Sequence, residues 1–269
     1  MSALHGYRTD HFFGATMAMR FLPRHWRDRR SRRTLPSSPE VLPHLETLRR
    51  DGIVVIPDFL SGQTIKRMRA AIPPQEQFDE SPEGDRALLY SDADRIPELS
   101  PFFDSDVVRG LARSYISGRA VAHRRTIGLK VVTGDFMTFE FFYHMDTWRA
   151  RMKAFLYLED VGPSSAPMTY LRGSHQGGWR RWAEAQIARD YVVDKRGFGG
   201  DTDIWYLGCF WPHEVAQLKH DYGYIDVSCT GPAGTLVIFD GRGLHRATPL
   251  ESGRRLILTS YWIHEGAHI

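Results

Sequence analysis

The hydrophobic pattern of the chain changes period once. Between about residues 40 and 116 apolar side chains recur at helical spacing, and from 128 onward they alternate or run continuously, as strands do. Leu42, Leu45 and Leu48 share one face of a helix predicted over 43–50, with Gly52 just past its end. Residues 52–57, GIVVIP, read as a β-branched strand closed by proline. Ser61 is placed to cap a second helix that carries Ile65, Met68 and Ile72 on one face. Residues 73–101 are polar and rich in turn formers, which predicts a long surface loop, and a further helix fits 105–116. Strands are expected over 129–133, 138–143, 152–158, 169–171, 225–228, 235–239 and 256–262. Helices first and many strands afterwards predict an α+β, mainly β fold, or a β-barrel with helices on one side.

Two segments stand apart from this pattern. Residues 1–39 form a basic appendage to a body at 40–269, with eight arginines against two aspartates. That excess is larger than the net charge of the whole chain, +3, so the body is mildly acidic and offers no nucleic-acid groove. Residues 12–33 join a short apolar patch to the arginine run. One reading is peripheral contact with an anionic membrane; the other packs the apolar residues on the barrel and leaves the arginines in solvent. The second segment, about 176–224, is rich in Trp, Gly and charge and has a candidate helix at 179–191. Lying between strands that supply chemistry, it is either a lid or a surface decoration.

No stretch is long and apolar enough to span a bilayer, and the start lacks the charge order of a secretory signal. Cys209 and Cys229 match neither a zinc spacing nor a redox motif, so they read as reduced structural thiols. These features together predict a cytoplasmic protein, with the inner face of a membrane as the place of any peripheral contact.

Two of the 12 histidines have distinctive contexts. His144-Met145-Asp146 follows a predicted strand, and in extended chain residues i and i+2 point the same way, so an imidazole and a carboxylate can meet at one point. His245 follows the strand TLVIFD and the glycine-rich turn GRGL. Two histidines and one carboxylate form the facial triad of non-haem iron(II) oxygenases, which leaves open positions for a keto acid and O₂. Next comes Gly253-Arg254-Arg255 at the mouth of a strand, where an arginine can hold a carboxylate bidentately.

The stretches YHMDTWRARMKAFLYLEDVGPSSAPMTYLRGSH and GTLVIFDGRGLHRATPLESGRRLILTSYW resemble the phytanoyl-CoA dioxygenase family of Fe(II)/2-oxoglutarate enzymes, and DGIVVIPDFLSGQTIKRMRAAI resembles its N-terminal strand and helix. The resemblance covers about residues 50–262. It implies a double-stranded β-helix, a jelly-roll barrel with the metal near its mouth. It also implies His144, Asp146 and His245 as ligands of Fe(II), with 2-oxoglutarate and O₂ as co-substrates. A G-x-R-L alignment selects Arg255 for the 2-oxoglutarate carboxylate; an R-R alignment selects Arg254. Alternation allows only one of them inside the barrel, and Arg255 is expected there. The chain departs from the family pattern at Ala166-Pro167-Met168, which lacks a glycine, and at Leu171-Arg172-Gly173-Ser174-His175, where His175 reads as a structural turn residue. Asp146 stands where halogenating relatives carry a small residue, so hydroxylation with release of succinate and CO₂ is the expected reaction.

The substrate is expected to be a small molecule. Arg149, Arg151, Lys153, Arg172, Arg242 and Arg246 flank the motifs, and they favour an anionic or lipid-linked substrate if they face the pocket, or form a solvated rim if they do not. Two other classes of function compete. A non-catalytic β-helix binding module would be signalled by a lost ligand. A cupin-like metal dioxygenase without 2-oxoglutarate would not need the arginine after His245.

Overall fold

The computed structural model describes residues 37–81, 87–131, 141–146, 150–176, 209–210 and 212–265. The basic segment 12–33, the candidate helix at 179–191 and residues 138–140 of the strand expected before His144 lie outside them.

Helix α1 (Leu42–Asp51) buries Leu45 and Leu48 and ends at Gly52, whose φ of 79° lets its N–H reach the Leu48 carbonyl at 2.9 Å. A side chain there would also strike the His175 ring, since a Cβ would sit 2.4 Å from Nδ1. Strand β1 (Ile53–Ile56) follows, then α2 (Gly62–Ala70), whose Ser61 cap accepts the Thr64 N–H at 3.3 Å. Strands β2 (Asp79–Glu80) and β3 (Leu88–Tyr90) precede the short α3 (Ser100–Phe103) and α4 (Asp106–Tyr115), the latter capped by Ser105.

The strands are β4 (Ala120–Val131), β5 (Tyr143–His144), β6 (Met152–Tyr157), β7 (Met168–Arg172) and β8 (Cys209–Phe210). After helix α5 (Pro212–Tyr222) come β9 (Ile225–Ser228), β10 (Leu236–Asp240), β11 (His245–Ala247) and β12 (Arg254–His264). Among the described residues they form a seven-stranded sheet, order β1-β10-β6-β12-β4-β3-β2, and a five-stranded sheet, order β8-β5-β11-β7-β9. All these neighbours are antiparallel, which is the two-sheet jelly-roll arrangement expected from the sequence.

Period-two alternation sorts the large sheet into two faces. On the outer face Leu236, Leu156 and Leu258 lie in one cross-strand row, fully buried under the helices with Ile127, Met152 and Trp262. The inner face, turned toward the small sheet, carries Tyr157, Val237, Phe239 and Ile257, packed with Met168 and Tyr170 of β7. Helix α5 covers the other side of the small sheet through Val215, which clusters with Tyr143, Leu171 and Leu244.

Several sequence expectations need correction. Residues 73–101 are not simply a surface loop: β3 pairs with β4, and Ala93 and Leu99 are fully buried. Strand β4 begins at Ala120, well before residue 129, because the charged run HRR alternates between the two faces and hides the apolar period. The part of the insert at 212–222 is regular where irregular chain was expected, a helix docked on a sheet. No helix among the described residues is long and apolar enough to cross a membrane.

The outer row sets a stability test. Leu156→Ala is expected to cost about 2–5 kcal/mol, because it opens a cavity between two strands and the helical layer. Urea unfolding should show a lower midpoint with an unchanged slope. Loss of under about 0.5 kcal/mol would mean that this face is not the main core.

Candidate metal centre

In the small sheet His144 of β5 lies directly opposite His245 of β11. Opposed residues project to one face, so the two rings meet inside the barrel with centroids 4.5 Å apart. Asp146, two residues beyond His144, points to the same place. One nitrogen from each ring and one carboxylate oxygen all lie within 4.8 Å of one another. The three residues singled out in the sequence therefore converge, and among the described residues His144 is itself part of the two-residue strand β5.

The nitrogen that each ring presents is fixed by the other. His144 Nδ1 donates to the Phe142 carbonyl and His245 Nδ1 to the Gly243 carbonyl, both at 2.9 Å. This leaves each Nε2 as the lone-pair donor, the outer hydrogen bond typical of metal-binding histidine. Burial, with the neighbouring His245, lowers the His144 pKa to about 3, so its ring is neutral and ready to ligate at neutral pH. Asp146 feels opposing influences. Burial, the largest, pushes its pKa up, but Lys153 and then the two imidazoles outweigh it and hold the carboxyl well below the usual range.

The carboxylate oxygens differ. Lys153 Nζ donates to Asp146 Oδ1 at 2.8 Å. Asp146 Oδ2 is buried with no hydrogen-bond partner and lies 3.5 Å from His245 Nε2. A buried carboxylate oxygen left without a donor needs a cation. The glycine at 241 keeps that space clear, since a Cβ there would come within 2.6 Å of Oδ2. A hard oxygen and two imidazole nitrogens suit a divalent first-row metal ion, and the site fits the iron implied by the triad.

A second cluster holds the turn that delivers His245. Asp240, fully buried, takes Arg242 Nε at 2.9 Å on each oxygen and the Tyr115 hydroxyl at 2.5 Å on Oδ2. Its backbone is tied as well: its N–H donates to Gly52 and its carbonyl accepts from Gly243 N and the Tyr170 hydroxyl. Gly241 in the same turn accepts the Asp146 N–H at 2.9 Å. Sequence reasoning missed Asp240 and Tyr115, and it had only a flanking cation, not a partner of Asp146, in Lys153. The signal for the last was a lysine at an inward position of the apolar strand MKAFLY.

The two candidate arginines part company. Arg255 is on the inner face of β12, half-buried, where Nη1 donates to the Ala166 carbonyl and Nε has no partner. Arg254 points outward onto Glu159, with Nη2–Oε1 2.6 Å. The flanking cations also divide. Lys153 faces the interior, Arg242 is neutralised by Asp240, Arg172 is exposed, and Arg246 lies 5.0 Å over the Tyr143 ring. Arg151 is half-buried, and Arg149 lies outside the described residues. His175 is a structural residue as expected, donating from Nε2 to the Arg49 carbonyl at 3.0 Å. Cys229 is buried and unbridged, and burial pushes its thiol up to about 12.

Comparison with known proteins places the chain in a family and a fold. The sequence profile of "Phytanoyl-CoA dioxygenase (PhyH)" matches residues 48–256. The ectoine dioxygenase of Stutzerimonas stutzeri (strain A1501) is 24% identical over 234 residues, covering 80% of this chain and 73% of that protein. Among solved structures, EctD from S. alaskensis with 2-oxoglutarate and 5-hydroxyectoine superposes with a TM-score of 0.58 at 16% identity, covering 87% of this chain and 80% of that one. The epimerase SnoN, in complex with Fe3+, alpha ketoglutarate and nogalamycin RO, gives 0.57 at 18% identity and 84% coverage of both chains. At these identities the structural likeness speaks to the fold.

Acid should destabilise the metal-free protein through His144. Its folded pKa, about 3, lies below the ordinary 6.5, so between those values the unfolded chain binds the extra proton. The neutral ring's contribution is complete above about pH 6.5 and is lost as pH falls toward about 3, on the order of 3 kcal/mol by pH 4. Asp146, with its lowered pKa, adds its own loss only below the ordinary carboxylate value of 3.8. Unfolding free energies measured from pH 7 to 4 should therefore slope less in His144→Gln than in the wild type. Identical slopes would mean that the ring is not buried neutral.

Proposed function

The chain belongs to the phytanoyl-CoA dioxygenase family, and from that premise we propose that it is an Fe(II)- and 2-oxoglutarate-dependent dioxygenase that hydroxylates a C–H bond of a small anionic substrate. The observation that carries the reading is the inward convergence of His144, Asp146 and His245 around an orphaned carboxylate oxygen. Iron(II), when bound, supplies the oxidation of the substrate by O₂, while 2-oxoglutarate leaves as succinate and CO₂.

The chain's own residues hold and shield that chemistry. His144 and His245 ligate through Nε2 and Asp146 through Oδ2. Arg255 takes the far carboxylate of 2-oxoglutarate. Ala247, two residues past His245 on the same face, pairs with Met168, and Ala166, two residues before Met168, accepts from Arg255. The guanidinium is thus deeper in the barrel along the strands that carry the triad, and a planar fork is suited to a carboxylate there. Phe239, whose ring lies 5.0 Å from that of His245, and Phe155, 5.1 Å from Phe239, keep water from the space between.

An anionic substrate is favoured by the cleft beside Arg255. Arg124 and Lys130 line it together with Arg255, whose own charge goes to 2-oxoglutarate. The ectoine dioxygenase relative acts, by its name, on a small molecule, which suits a small-molecule substrate here. A lipid-linked substrate draws only on the basic charge of residues 12–33. Vesicle co-sedimentation that is equal and negligible with and without residues 1–39 would remove it.

The test needs no substrate. Anaerobic titration with Fe(II) and then 2-oxoglutarate should give a charge-transfer band, and His144→Ala, Asp146→Ala or His245→Ala should each weaken iron binding by more than about 100-fold. Arg255→Leu should raise the Kd for 2-oxoglutarate by about 30-fold or more, as expected when a buried charge loses its partner. Arg254→Leu should change it less than about threefold, as for an exposed ion pair. A larger effect at Arg254 would reverse the assignment. Iron binding with no 2-oxoglutarate complex would favour a cupin-like dioxygenase, and no metal binding a non-catalytic module.

A further inference from the structure

We infer that Lys153 is a positioning residue that keeps Asp146 a one-oxygen ligand and so preserves the coordination space that 2-oxoglutarate requires. The inference rests on the reading of the triad as an iron site. A carboxylate is able to chelate through one oxygen or both. The triad leaves open positions only while each of its members supplies one atom; a second Asp146 oxygen would occupy ground needed by the keto acid.

The geometry sets the two oxygens to different tasks. Lys153 projects from β6 with a side chain only 11% exposed and grips Oδ1 at 2.8 Å. Its position is fixed from both sides. Tyr261 and Phe239 are its cross-strand neighbours on β12 and β10, and Nζ lies 4.8 Å from the first ring centroid and 5.8 Å from the second. The ammonium is thus held between two aromatic rings and the carboxylate. Oδ2 is buried and unsatisfied, faces His245 Nε2, and is kept clear by Gly241. An ordinary ion pair would need no such asymmetry. Here the cation covers one oxygen, and the bare glycine opens the other.

The role predicts affinities that move in opposite directions. In Lys153→Met the carboxylate loses its competing cation and both oxygens become available. Iron(II) should bind about tenfold tighter, and 2-oxoglutarate about tenfold weaker to the iron-loaded protein, with an altered charge-transfer band. Lys153→Arg, which keeps a cation on Oδ1, should return both affinities toward the wild type. If Lys153→Met does not fold, as judged by circular dichroism, Tyr261→Leu loosens the same ammonium without removing it and should move both affinities the same way by a smaller factor. Wild-type protein that forms no iron–2-oxoglutarate complex would overturn the site reading and this inference with it. A normal wild-type complex, with both affinities in the variant unchanged or falling in parallel, would overturn this inference alone. Tighter iron with unaltered 2-oxoglutarate binding would overturn it as well.

Discussion

The buried carboxylate of Asp240 is the constraint on which the metal centre hangs. It ends strand β10 with no exposed surface, and an unpaired charge at such a depth would cost several kcal/mol. Arg242, two residues later, folds back onto it, and Tyr115 reaches it from helix α4. The turn is thereby tied to the helical layer on one side and, through Gly52, to β1 on the other. Both ligand-bearing segments then take their position from this turn. Gly243 orients the His245 ring, and Gly241 fixes the Asp146 backbone. The close approach at 243 excludes any side chain, since a Cβ would fall 1.8 Å from the Tyr170 hydroxyl.

Two carboxylates with cationic partners, Asp240 fully buried and Asp146 largely so, therefore lie close in the fold, and they do different work. Asp240 is saturated on both oxygens by Arg242 and Tyr115. Asp146 is satisfied on one oxygen only. The first arrangement fixes backbone, as a complete polar network does; the second leaves a lone pair for a ligand. The same physical cost of burial thus separates an acid closed on both oxygens from one that keeps an oxygen open.

Most of the site was legible in the sequence because metal ligation requires particular residue types at positions that strand alternation brings to one face. His144-Met145-Asp146 and the histidine after GRGL carried that information locally. The strand pairing that sets His144 opposite His245 did not show, because β5 and β11 are two and three residues long, too short for a period to register. Residues 120–127 were equally opaque. Their outward Arg125 is anchored by the Phe103 carbonyl and their inward Arg124 stacks toward Tyr261, so partners outside the segment make a charged stretch into a strand. Tyr115, Asp240 and Arg242 act together only once α4 packs on the sheet, which no local pattern reports.

The arginine pair shows how packing on one face of a strand assigns charge on the other. Arg254 and Arg255 are chemically identical neighbours, and only register distinguishes them. Leu256, Leu258 and Trp262 follow on the face of Arg254 and are buried under the helical layer. Ile257, Thr259 and Tyr261 follow on the face of Arg255 and line the interior cleft. A slip of one residue would exchange the two sets. It would carry Leu256, Leu258 and Trp262 off the shapes packed for them under the helical layer and press Thr259 into their place. No gain from a single guanidinium matches that loss. The apolar face therefore decides which arginine enters the barrel, and the cation inside it is placed by the core outside it.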